Sequence, residues 1–212
     1  MSILDFHTHR TDAPDALISV DPRRFDPLPG LWYSVGYHPW DEVDALTDED
    51  FTILEQCARH PQVLAVGETG IDRLRGASLD IQAAVFQRHL QLAANLGLPV
   101  IVHCVRAAQE ILAARHQADL DKVPMAIHGM RANEHVARVL LDAGCHLSFG
   151  PRFNASALHA TPLDRLLIET DDTPDTTIHE VATLVATTLQ LPTQEIITTA
   201  SHNAHHLLSF KE

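Results

Sequence analysis

Two histidines one residue apart, His7 and His9, follow Asp5 directly after a short apolar run, Ile3 and Leu4. In an extended segment the side chains at i and i+2 point to the same side, so the two imidazoles aim at one place. Imidazoles that converge most commonly share a metal ion. The same signature recurs behind later apolar runs, as Gly36-Tyr37-His38-Pro39, Gly67-Glu68-Thr69-Gly70, His103, His128-Gly129 and Glu169-Thr170-Asp171-Asp172. Any one of these residues reads well as a satisfied core group. The set does not, because buried imidazoles and carboxylates are costly unless paired or metal-bound.

The ligand types suit two divalent ions. His7 and His9 hold one in this reading, completed by Asp171, and His103 and His128 hold the other. A bridging carboxylate is needed, and Glu68 is the residue placed to supply it. A carboxylated lysine is the other known bridge. The chain has only Lys122, at the wrong end of its strand, and Lys211, in the tail. Histidines suit Zn and carboxylates accept Mg or Mn, so all three metals remain open. Two metals can activate a water and clamp a scissile phosphate. Asp171 then serves as both ligand and general base.

Other polar residues have lesser roles. His38 binds substrate phosphate or is structural, and Arg106 can reach a phosphate as a bidentate donor. Arg73, Arg75, Arg131 and Arg152 also follow strand ends and form a local basic rim or are solvated charges. Asp5 is read as facing away from the two imidazoles, with a supporting role behind them. Glu169 supports its own turn. His202, His205 and His206 are read as surface or packing residues, and Asn203 as a tie between the last helix and the strands.

Such convergence needs elements that end together. Strand-like runs occur at 3–6, 16–20, 31–36, 63–66, 99–102, 124–127, 145–149 and 165–168, several of them continuously apolar, as in parallel strands buried on both faces. Helical patterns lie at 48–60, 78–95, 105–116, 133–143, 177–190 and 193–209. Thr47, Ser78 and Asn133 stand as N-caps, and Gly97 and Gly144 as stops. Eight strands alternating with helices predict a TIM-type (β/α)8 barrel, whose active sites lie at the strand C-termini. An open doubly wound sheet is the alternative, but no glycine-rich phosphate loop follows any strand. At 212 residues the chain is short for this barrel. The Pro- and Asp-rich stretch between Phe6 and Leu31 accounts for the saving: the first crossover helices are missing or reduced to loops.

Composition bounds the rest. Length and a 45% hydrophobic content are read as one domain over 1–212. No apolar run reaches the length of a membrane span, and no secretory signal is visible. Cys57, Cys104 and Cys145 are read as reduced thiols, so the expected location is cytoplasmic. A net charge of −13 argues against broad adhesion to nucleic acid. It leaves open a metal-dependent enzyme acting on phosphates, because bound cations reverse the local field.

DFHTH, GYHP, GETGID, VIVHCVRA, AIHG and LLIETDD, in that order and followed by Asn203, resemble the TatD family of metal-dependent nucleases in the amidohydrolase-like superfamily. The resemblance implies a TIM barrel, hydrolysis of phosphodiester bonds, typically in DNA, and metal ligation by His7, His9, Glu68, His103, His128 and Asp171. Some features depart from the family pattern. The segment before GYHP is short, Arg73-Leu74-Arg75 stands where an aromatic is usual, and His128-Gly129-Met130 stands for HCF. The rival readings are a small-molecule amidohydrolase or lactonase on the same site, and a non-catalytic metal-binding scaffold.

Overall fold

The structure, a computed structural model, describes residues 3–208; Ser209 and Lys211 lie outside the described residues. Eight strands form one sheet in sequential order: β1 (Asp5–Thr8), β2 (Ala16–Val20), β3 (Trp32–Val35), β4 (Val63–Asp72), β5 (Val100–Val105), β6 (Met125–Ile127), β7 (His146–Phe149) and β8 (Leu166–Ile168). Every neighbouring pair is parallel. A single parallel bridge, Thr8 to Asp171, brings the two edges together at the strand C-termini, so the barrel is nearly closed where the polar residues gather.

Among the described residues, seven α-helices surround the sheet: α1 (Asp48–Ala58), α2 (Leu79–Leu96), α3 (Ala108–Gln117), α4 (Glu134–Asp142), α5 (Ala155–Ala160), α6 (Ile178–Leu189) and α7 (Thr193–Leu208). Their ends follow local chemistry. Thr47 and Thr177 each close a capping box, with Asp50 and Glu180 returning the hydrogen bond. The Asn133 side chain accepts from Val136 N–H. Gly97 ends α2 at φ 64°, a conformation glycine adopts without a Cβ penalty. Ser78 stands at the cap of α2, but its hydroxyl makes no capping bond.

The crossovers from β1 to β2 and from β2 to β3 carry no α-helix, only the three-residue 3-10 turn Pro22–Arg24 in the second, so both are loops. Two differences from the sequence reading bear on the site. β1 begins at Asp5 and carries His7 inside it, and β4 runs on through Glu68 to Asp72. Pairing with β5 holds that extension, with Gly70 opposite His103 and Asp72 opposite Val105.

The larger apolar cluster lies between the strands and the helices. A second includes Leu17, Ile101, Ala126 and Leu167 with Ala204, Leu207 and Leu208 of α7. By strand alternation Ile101 shares a side with His103, Ala126 with His128, and Leu167 with Glu169. An apolar layer therefore underlies the polar one within the barrel. Asn203 of α7 donates to Leu163 C=O and Leu166 C=O, tying that helix to β8, while His202, His205 and His206 are exposed. Lys122 is exposed. Among the described residues, no helix is long and apolar enough to cross a membrane.

Candidate metal centre

Glu68 is the hub of the strand C-termini. Its Oε1 lies 2.6 Å from His128 Nε2, 2.8 Å from His103 Nδ1 and 3.0 Å from His38 Nε2. Its Oε2 lies 3.2 Å from His7 Nε2 and 3.5 Å from His9 Nε2. Asp171 closes the other side, with Oδ1 at 3.8 Å from His7 Nε2 and 3.7 Å from His9 Nε2. All six residues named from the sequence as ligands thus converge, and His38 joins them. Ligand atoms from three groups approach closely enough to share a cation: His7, His9 and Glu68; His7, His128 and Asp171; and His38, Glu68 and His103. This grouping departs from the expected one. His128 lies beside His7, with ring centroids 4.3 Å apart, so it faces both halves of the cluster.

The backbone explains the convergence. Asp171 has φ 54°, a left-handed turn at the end of β8 that Asp tolerates better than most residues. Its N–H donates to His7 C=O and its C=O accepts from His9 N–H, so β1 and β8 hold the carboxylate and both imidazoles in one frame. Asp5 accepts from Thr170 N–H at 2.9 Å and from Thr170 Oγ1 at 2.6 Å. It therefore anchors the segment carrying Asp171 and orients neither imidazole, which corrects the role read from sequence. Burial pushes the Asp5 carboxyl up to about 6 despite those two bonds. Glu169 accepts from Gly129 N–H at 2.7 Å and faces His128 Nδ1 at 3.4 Å, so it steadies the β6 loop rather than its own turn.

Electrostatics are concentrated at Glu68. Burial opposes its ionisation, but the imidazoles of His128, His7 and His103 hold it well below the usual carboxylate range. Burial likewise opposes a charge on His128, but Glu68 and Glu169 hold it well above the usual imidazole value. Among the described residues, His7 Nδ1, His7 Nε2 and His128 Nδ1 are buried without a hydrogen-bond partner. His7 Nε2, buried without a hydrogen bond 3.2 Å from Glu68 Oε2, fits a bound cation, which would satisfy it.

Two neighbours were not read from the sequence. Asp72 Oδ2 lies 3.3 Å from His103 Nε2 and accepts from Trp40 Nε1 at 2.6 Å. That contact leaves His103 Nδ1 free to face Glu68. The signal was present in GETGID, since residues 68 and 72 share a strand face. Of the arginines, Arg106 (φ 52°) is exposed behind β5. Arg131 Nη2 lies 3.7 Å from Asp171 Oδ2. Arg73 pairs with Glu110, and Arg75 stacks on the Trp40 ring at 4.3 Å.

Residues 25–209 match the family described as TatD related DNase. The chain belongs to this family. It is 31% identical over 149 residues to an uncharacterized metal-dependent hydrolase of Bacillus subtilis, covering 66% of this chain and 58% of that one. It is 37% identical over 153 residues to the 3'-5' ssDNA/RNA exonuclease TatD of Cronobacter turicensis, covering 67% and 57%. The chain thus spans less than two thirds of the length of these curated relatives. The crystal structure of a TatD homologue, YjjV of Escherichia coli, superposes with a TM-score of 0.80 at 20% identity over 98% of both chains. That likeness shows the fold.

Proposed function

We propose that this TatD-family chain is a metal-dependent hydrolase of phosphodiester bonds, with DNA or another phosphodiester as substrate. The observation that carries the reading is the single ionised carboxylate of Glu68 within 3.5 Å of five imidazoles, with Asp171 at the open edge. His7, His9 and Asp171 would hold one divalent ion. His103 and His38 would hold a second, His128 lies within reach of both groups, and Glu68 faces both. Mg, Mn or Zn meets the donor set. When bound, such ions would lower the pKa of water and offset charge on phosphoryl oxygens.

The chain's own groups do the rest. The side chain of Asp171 is 15% exposed, against 4% for Glu68, so it is the carboxylate a water can reach. Its oxygen takes the proton as water oxygen bonds to phosphorus and the bond from phosphorus to the leaving oxygen breaks. The leaving oxygen then takes a proton, returned by Asp171 or supplied by solvent. Arg131, beside Asp171 Oδ2, is placed to bind a non-bridging phosphoryl oxygen. Asp72 keeps the His103 ring turned with Nδ1 toward the site. Arg106 is the outlying phosphate donor.

A direct assay of single- and double-stranded oligonucleotides against lactone and amide substrates tests this reading. Shortened strands are expected. Turnover of a lactone or an amide without strand cleavage would replace it with the small-molecule reading.

A further inference from the structure

The metal cluster forms one wall of a cavity of about 490 Å³, in the size range of pockets that enclose small organic ligands. The space runs from His103 and His128 toward α4. Its floor is apolar, built by Met130, Val136 and Leu140, and Trp40 stands at its edge. Arg106, Arg131 and Arg152 line it from three successive strand ends.

Most arginines elsewhere on the chain are engaged: Arg10, Arg115 and Arg165 donate to backbone carbonyls, and Arg75 stacks on the Trp40 ring. Arg23, Arg59, Arg88 and Arg138 each lie within 2.9 Å of a carboxylate oxygen. Among the described residues, Arg106 and Arg152 make no ion pair, and Arg131 is 3.7 Å from its only carboxylate partner. In a chain of net charge −13, three loosely committed guanidiniums gather over one apolar floor. A free phosphate would use the guanidiniums and leave the floor empty. A flat apolar body carrying phosphate uses both.

We propose that this cavity is a nucleotide subsite. The base of the unit beside the scissile phosphate lies on the floor of Met130, Val136 and Leu140. Arg106 and Arg152 bind the next phosphate along the strand. The assignment rests on the phosphodiesterase reading, because that reading puts the scissile phosphate at the adjoining wall.

The test is calorimetric titration of Mn2+-supplied protein with thymidine 5'-monophosphate, inorganic phosphate and thymidine. The monophosphate should bind about tenfold or more tighter than inorganic phosphate. The double variant Arg106→Ala/Arg152→Ala should lose about tenfold in affinity for the monophosphate. Its affinity for inorganic phosphate, read on the same sample, should fall in parallel, because free phosphate uses the same guanidiniums. Both positions are exposed, and an unchanged Tm checks the fold. Equal affinity of the native protein for monophosphate and phosphate overturns the subsite, as does a double variant that binds the monophosphate as tightly as the native protein. Hydrolysis of bis(p-nitrophenyl) phosphate is followed alongside. A protein that prefers the monophosphate but cleaves no phosphodiester keeps the subsite and refutes the hydrolase reading. Cleavage without the preference does the reverse.

Discussion

Asp171→Asn should separate chemistry from structure. The backbone of residue 171 is held by His7 C=O, His9 N–H and Thr8 Oγ1. None of these contacts uses the carboxylate. Asn accepts φ 54° about as readily as Asp does. Among the described residues, the carboxylate itself pairs only with His7, His9 and Arg131, at 3.7 to 3.8 Å. Stability should therefore change by no more than about 0.5 kcal/mol, the range of substitutions that break no buried bond. The amide can still offer one oxygen to a cation, but it cannot accept a proton from water. Loss of a general base typically lowers a rate by ~10²–10⁴, or about 3–5 kcal/mol of barrier. The expected outcome is a native Tm, retained but weaker metal content, and kcat on oligonucleotides reduced at least ~100-fold. His202→Ala, on the outer face of α7, should match the native rate. Native kcat in Asp171→Asn with full metal occupancy would refute the assignment of Asp171 as base.

Other perturbations test how the frame is built. Thr170→Val removes both the hydroxyl bond to Asp5 and the contact with Thr8 Oγ1. It should lower unfolding free energy by about 1–3 kcal/mol, the cost of a buried carboxyl left short of a partner, as read by urea denaturation; no change would mean that Asp5 is not an anchor. Gly70→Ala would put a Cβ 2.1 Å from His103 C=O, at φ +147°, so β4 and β5 must part where Glu68 and His103 meet. A loss of stability of about 2 kcal/mol or more, with weakened metal retention, is expected; a native Tm would contradict the close approach. His89 is buried, with Nε2 accepting from Tyr37 N–H and Nδ1 directed at Val85 C=O, and burial pushes it down to about 4. The unfolded chain takes up that proton near the ordinary value of about 6.5, so His89 contributes stability fully above that pH and loses it as pH falls toward 4. Between pH 7 and pH 5 its share is about 2 kcal/mol, and His89→Gln should flatten that part of the pH–stability curve; an unaltered slope would place the effect elsewhere.

The legible parts of the sequence were those that repeat a local rule. Apolar runs ending in His or carboxylate marked the strand ends, and caps such as Thr47 and Gly97 marked the helices, because these signals depend on neighbours in the chain. Longer-range effects were not legible. Glu68-Thr69-Gly70 reads as lying past the strand at 63–66, but pairing of Thr69 with Val102 and Asp72 with Val105 keeps it in β4. Asp5 finds its partner 165 residues away, where no local pattern points. The six-residue helix α5 is too short to show a hydrophobic period, although Asn154 caps it. His38 reaches Glu68 because of the path the chain takes after β3, and spacing alone left it between substrate contact and structural residue.

The central claim is that the imidazoles around Glu68 hold catalytic divalent ions. Metal content per chain and phosphodiester hydrolysis, measured on one sample before chelation, after chelation and after adding Mg, Mn or Zn, test it most directly. The account predicts about two ions per chain, loss of hydrolysis as they are removed, and recovery with at least one of the three metals. Undiminished hydrolysis by protein stripped of metal would contradict it.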